Sequence, residues 1–479
     1  MLKKQTKIIC TIAGNRCEEE FIRKLYKAGM NVARLNTAHI STVEADLMVQ
    51  RIRSVADDIG ILIDTKGPEV RTSGMGSEIL ELNTGDLVEI GDKKQPENGF
   101  TVNYEDFVND VPVGSDILID DGEIRLTVLE KKTDLLVCRA ENNGTIKNNK
   151  SVNIPNVELG LPALTEKDAE FIDWATRSDI EFIAHSFVRN RDDVMAIQSI
   201  LDMRKSPIKI IAKIENREGV ENLDSILDVA HAVMVARGDL GIEIPPEEVP
   251  IIQKQMIKTC ISRIKPVITA TQMLHTMIDN PRATRAEVSD VANAIYDGTD
   301  AVMLSGETAY GKYPVEAVTT MAEIARRVED QKDDLVRKKL HIVQQSDEMR
   351  PRNHIARSAV SISANLPAKA IITSTKSGDT AMVCGSYRGK TPIYALSASA
   401  RTVRELSLCY GIYARQIDIP ASTSELVRSG VKMLLDEGLF EKDDLIMFIG
   451  GGQIYSSHTN FLQVETPATL LSLNNRPLE

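Results

Sequence analysis

Eight short apolar runs, most of them followed by a stretch of helical period, limit what this chain can fold into more than any other feature. They lie at residues 7–12, 31–36, 61–66, 182–187, 209–215, 232–237, 266–271 and 301–305. Runs of this length alternating with amphipathic segments are the pattern of βα units that feed a parallel sheet. Eight of them match the count of a closed (β/α)8 barrel, so the expected fold class is α/β.

The gap between the third and fourth runs is far too long for one crossover. Residues 72–152 carry short Val-, Ile-, Leu- and Thr-rich runs broken by NTGD, PVGSD, DDGE and ENNGT, which read as turns between antiparallel strands. An all-β domain is therefore expected inside a barrel made of residues 1–71 and 153–330. Residues 331–353 are strongly charged and read as a connector. Helix and strand patterns alternate again over 354–479, as expected for a smaller C-terminal α/β open-sheet domain.

Composition narrows the function classes. The 479 residues hold 57 Lys+Arg against 69 Asp+Glu, a net charge of −12, which argues against a nucleic-acid-coating role. Six cysteines without a C-x-x-C pair point to neither a disulfide scaffold nor a zinc ribbon. No stretch reaches the ~18 uninterrupted apolar residues of a membrane span. A soluble cytoplasmic protein is the expectation, with no nucleic acid and no membrane as partner.

In a barrel, functional groups come from the carboxyl ends of several strands. Here those ends carry Arg34 and Asn36, Asp64 and Lys66, Lys213 and Glu215, Arg237 and Asp239, each pair two residues apart. Side chains at i and i+2 share a face while a strand continues, so each pair is aimed at one place. Thr271, Ser305 and Glu307 follow the last two strands. Glu215 and Asp239 suit Mg²⁺ or Mn²⁺, which take oxygen ligands and leave positions to water and phosphate. Arg34, Arg71, Lys213 and Arg237 would surround an anion. That equipment fits phosphoryl transfer, in which a protein positions groups and neutralises charge. Taken singly, a Lys or Glu at a strand end is ordinarily just solvated, and Thr271 or Ser305 could simply cap a helix. Recurrence at strand after strand favours the functional reading.

The segments NVARLN (31–36), DTKGPEVRT (64–72), KIENREGVENL (213–223), VMVARGDLGIEI (233–244), PVITATQML (266–274), PRATRAEVSDVANAIYDGTD (281–300) and VMLSGET (302–308) closely resemble the pyruvate kinase family, in order and across the whole barrel. The resemblance implies an allosteric glycolytic phosphotransferase that moves the phosphoryl group of phosphoenolpyruvate to ADP, giving pyruvate and ATP. It also implies a homotetramer. By motif, Glu215 and Asp239 would hold Mg²⁺, while Lys213 and Arg34 would contact the phosphoryl group. Residues Ala236, Arg237, Gly238 and Asp239, with Thr271, would hold the substrate, and Thr271 and Ser305 would lie near the proton-delivery path. Asn36, His39, Arg71 and Lys150 would serve the nucleotide, with Asp121 beside them on the lid. Asn36, Asp64 and the carbonyl of Thr65 would bind K⁺, which family members with a glutamate at the position of Glu69 tend to need.

Two departures stand out. Ala38 replaces a serine of the K⁺ site, and Gly14 replaces a proline that lines the nucleotide base. Farther along, Thr375, Lys376, Ser377, Gly378 and Thr380 precede or open a helix, an arrangement that favours phosphate, and the family binds phosphorylated effectors at this segment. Asp379 within it would repel such a group, and capping of the helix by Ser377 or Thr380 is the competing reading. Another Mg²⁺-dependent barrel enzyme acting on phosphoenolpyruvate or an enolate would not need Lys150 and Asp121. An idle sensor would be expected to lack Lys213 or a metal ligand.

Overall fold

The computed structural model describes residues 4–75, 79–93, 95–331, 351–418, 420, 422–451 and 459–472. Eight parallel strands close into a barrel in chain order: Lys7–Ile12, Val32–Asn36, Gly60–Asp64, Phe182–His185, Lys209–Ile214, Ala232–Ala236, Val267–Ala270 and Ala301–Leu304. The expected strands are all present, most of them ending one or two residues earlier than their apolar runs. Ile9, Val32, Leu62, Phe182, Ala184, Ile211, Met234, Ile268 and Met303 fill the interior. A larger apolar cluster seals the strands against the helices outside.

Strand alternation then dictates what caps this interior. Two residues beyond Ile9, Val32, Leu62, Ala184 and Ile211 stand Thr11, Arg34, Asp64, Ser186 and Lys213, so an apolar interior ends in a polar top layer.

The inserted residues form a seven-stranded sheet with its own core around Val88, Ile90, Phe100, Phe107 and Leu126, plus a two-stranded ladder of Ile79–Leu82 with Gly144–Lys147. The expectation of a wholly antiparallel lid needs correction, because Leu87–Gly91 and Gly99–Val102 pair in parallel.

In the C-terminal sheet the order is Ile412–Gln416, Ile393–Ser397, Ala370–Ser374, Ile446–Gly450 and Phe461–Glu465, the last strand antiparallel. Its first helix, Pro351–Ser363, begins inside the segment read as connector, and residues 332–350 of that connector lie outside the described residues. Leu408, fully buried, joins the barrel's interior cluster. Beside it, Arg388 pairs with Asp300 at 2.6 Å and Arg404 with Glu181 at 2.6 Å, all four side chains buried. Asp300 and Glu181 immediately precede barrel strands, so this sheet docks on the end of the barrel opposite the polar layer.

Candidate active site

The polar top layer is one connected network. Arg34 Nε donates to Asp64 Oδ2 at 2.6 Å and its Nη1 to Thr11 Oγ1 at 2.9 Å. Lys213 Nζ lies 3.2 Å from Asp64 Oδ1 and 2.9 Å from Glu215 Oε1, and donates to Ser186 Oγ at 2.7 Å. Burial alone would raise the Asp64 carboxyl, but Arg34 and Lys213 outweigh it and hold Asp64 below the usual carboxylate range. Burial would likewise lower Lys213, yet Asp64, Glu215 and Asp239 together raise it above an ordinary lysine.

Glu215 and Asp239 behave differently. Burial pushes Glu215 up to about 7, with Asp239 adding to the shift against Lys213. Burial also raises Asp239. Both line a cleft of about 530 Å³ between lid and barrel, together with Glu69, Arg71, Asp121 and Lys150. Two buried carboxylates that both resist ionisation are a place where a divalent cation relieves charge. Both side chains offer carboxylate oxygens, the donors that suit Mg²⁺ or Mn²⁺. Two ligands leave the remaining positions to water and substrate.

Several expected residues sit elsewhere or do something else. Lys66 is exposed, and its amide is taken by buried Asp168, which also accepts from Gly67 N and caps the next helix through Thr165. Arg237 is turned away from the cleft. Its guanidinium donates to the carbonyls of Ala270 (3.2 Å) and Thr271 (2.7 Å) and pairs with Asp290 at 2.8 Å. Ala232 and Met234 point into the barrel and Val233 and Val235 away from it, so alternation itself turns Arg237 from the interior as the strand ends at Ala236. The Gly238 amide, expected to face substrate, donates to Thr271 Oγ1 at 2.7 Å. These bonds hold Thr271 at φ 64°, a conformation that costs a β-branched residue ~1–3 kcal/mol. Glu307 accepts from Leu274 N and Ser305 N, so it orders the two loops that carry Thr271 and Ser305.

Around the lid, Lys150 pairs with Asp120 at 2.6 Å, Asp121 accepts from Ser151 Oγ, and Arg71 pairs with Glu69 at 2.7 Å and donates to Asn149 O. Asn36 pairs in register with Asp64, which brings two K⁺-ligand candidates together beside Thr65, while Asn36 Oδ1 accepts from Ala38 N. His39 ends the short turn Thr37–His39 next to them. Gly14 opens the turn Gly14–Arg16, anchored by Arg16 on Gly311 O and over the Phe21 ring.

At the far sheet, the helix Asp379–Ser386 has Gly378 as N-cap with no side-chain cap, so neither Ser377 nor Thr380 caps it. Thr375 Oγ1 accepts from Gly378 N, the buried Thr380 hydroxyl meets that of Thr459, and Lys376 O accepts from Thr402. Asp379 is paired with Arg352 at 2.9 Å, which blunts the repulsion expected of it.

Sequence reasoning passed over Ser186, Thr11 and Asp168. Ser186 was legible, since Phe182, Ala184 and Ser186 alternate inward along one expected strand.

The description "Pyruvate kinase, barrel domain" fits residues 3–318, and "Pyruvate kinase, alpha/beta domain" fits residues 353–465. The chain is 46% identical over 472 residues to the pyruvate kinase of Borreliella burgdorferi, spanning 97% of this chain and 98% of that protein. It is 45% identical over 470 residues to the pyruvate kinase of Bacillus licheniformis, spanning 96% and 80% respectively. The crystal structure of a pyruvate kinase from Cryptosporidium parvum superposes with a TM-score of 0.91 at 36% identity, covering 97% of this chain and 96% of that one. A barrel whose polar top layer faces an inserted lid, matched along nearly its whole length by these proteins, places the chain in the pyruvate kinase family, which transfers the phosphoryl group of phosphoenolpyruvate to ADP.

Proposed function

We propose a division of labour among the residues of this site. Lys213 stands beside the phosphoryl group in flight, because its ammonium is buried, held charged by three carboxylates and pinned at the mouth of the barrel. That placement is the observation which carries the reading. Arg34, braced by Asp64 and Thr11, contacts the same phosphoryl group. Glu215 and Asp239 hold Mg²⁺ or Mn²⁺, which supplies charge neutralisation between enzyme and substrate phosphate. The phosphoryl P–O bond to the enol oxygen breaks as a bond forms to the β-phosphate oxygen of ADP. The enolate left behind takes a proton at carbon along a path lined by Thr271 and Ser305.

Asn36, His39, Arg71 and Lys150 serve the nucleotide, and closure of the lid excludes the water that would otherwise accept the phosphoryl group. Residues 375–380 take a phosphorylated effector, and the assembly is a homotetramer in the cytoplasm. No helix among the described residues is long and apolar enough to cross a membrane. A coupled assay for ATP formation from phosphoenolpyruvate, ADP and Mg²⁺ tests the reading, and absence of product with folded protein rejects it.

K⁺ sits with Asn36, Asp64 and the Thr65 carbonyl. Glu69 cannot supply the fixed positive charge wanted near the phosphoryl group, and a bound cation can. Activity should therefore rise on adding K⁺ to sodium- and potassium-free buffer, and Ala38→Ser should lower the K⁺ concentration needed. Full activity without either cation contradicts this assignment.

A further inference from the structure

We infer that Ser186 is a positioning residue which fixes the ammonium of Lys213 in its working place. Its side chain is buried, and Thr65 holds the residue by two hydrogen bonds, with Asp64 Oδ1 a more distant acceptor for the hydroxyl at 3.3 Å. The single hydroxyl proton goes to Thr65 O at 2.7 Å, and the backbone N–H of Ser186 donates to Thr65 Oγ1 at 3.0 Å. With its proton spent on the carbonyl, the oxygen is left to accept, and it accepts from Lys213 Nζ at 2.7 Å.

The other partners of Lys213 are shared. Asp64 already binds Arg34 at 2.6 Å, and Glu215 is the carboxylate expected to turn to the divalent cation. Ser186 is thus the partner of Lys213 that neither a second cationic side chain nor the metal claims. The turn that carries it is tightly determined. Phe187 adopts φ 56° and donates its N–H to Glu215 Oε2 at 2.6 Å. A Cβ at Gly67 would come within 2.7 Å of the Phe187 ring and 2.8 Å of Ser186 Cβ, so only glycine lets the loop 65–67 close against this turn. One short segment therefore sets the lysine through Ser186 and a metal ligand through Phe187.

The inference rests on the reading of Lys213 given above, and a mutant cycle separates the two. Ser186→Ala and Ser186→Gly should each lower kcat roughly 10- to 100-fold, the usual loss when an outer-shell partner is removed. The KM for phosphoenolpyruvate, the Mn²⁺ affinity measured without turnover and the Tm should stay near the parent values. In a Lys213→Met background the same changes should have no further effect on kcat, because the hydroxyl acts only through the ammonium. Losses that add in the double variants, a fall in kcat matched by a fall in Mn²⁺ affinity, or a kcat within threefold of the parent would each overturn the inference. If Lys213→Met itself leaves kcat unchanged, the reading of Lys213 fails instead.

Discussion

Lys213 keeps its charge where burial argues against it. Three carboxylates outweigh desolvation, so the group works as a fixed cation rather than as a base. His185, the last residue of its strand and the neighbour of Ser186, shows what burial does without such partners. Neither ring nitrogen finds a hydrogen-bond partner among the described residues. Burial lowers its pKa to about 4, although Asp193 and Asp168 pull the other way. The folded protein therefore binds fewer protons at this site than the unfolded chain below pH 6.5. Stability should fall as pH drops from 6.5 towards 4, by ~3 kcal/mol from this residue. Urea unfolding across that window should show a shallower loss for His185→Gln than for the parent, and identical slopes would contradict the assignment. The sequence could not announce this residue, since one histidine in FIAHSF has the same letters whether it faces a partner or none. The inward neighbours were readable, because period-two alternation fixes faces without any knowledge of contacts.

Loops and short helices decide the fine detail of each site. The segment 375–380 presents the Lys376 and Ser377 side chains before a helix whose N-cap is a glycine, and Arg352 offsets Asp379. A phosphorylated effector bound there can act only by preferring the active conformation. It should lower the half-saturating phosphoenolpyruvate concentration more than it raises kcat. Titration of sugar phosphates, AMP and inorganic phosphate should shift the parent's curve and leave the Lys376→Ala, Ser377→Ala double variant unmoved; shifts that survive the double change would reject the site. Elements whose apolar period was strong were visible beforehand, as the eight barrel strands show. Ile412–Gln416 and Phe461–Glu465 were passed over because each mixes apolar with polar or charged residues at a sheet edge, where burial is partial. Arg237 shares the outward parity of Val233 and Val235, and a helix begins at it, so spacing alone does not aim it at the same place as Asp239.

At the scale of the whole molecule, the barrel is polar at one mouth and docked at the other. Arg388 and Asp300 carry part of that docking as a buried pair, with Asp300 also accepting from Tyr410 N and Val267 N. Removing one partner strands the other charge, so Arg388→Ala should destabilise by about 3–5 kcal/mol. In calorimetry this should appear as a lower Tm or as separate unfolding of the C-terminal sheet, and an unchanged single transition would count against the docking role. At the opposite mouth, the central claim is that Lys213 stabilises the phosphoryl group during transfer. The most direct measurement compares single-turnover ATP formation by the parent and by Lys213→Met, with phosphoenolpyruvate and Mn²⁺ binding followed separately. The account predicts a rate loss of ~10²- to 10³-fold with both ligands still bound and Tm little changed. A variant that transfers the phosphoryl group within a few-fold of the parent rate would contradict it.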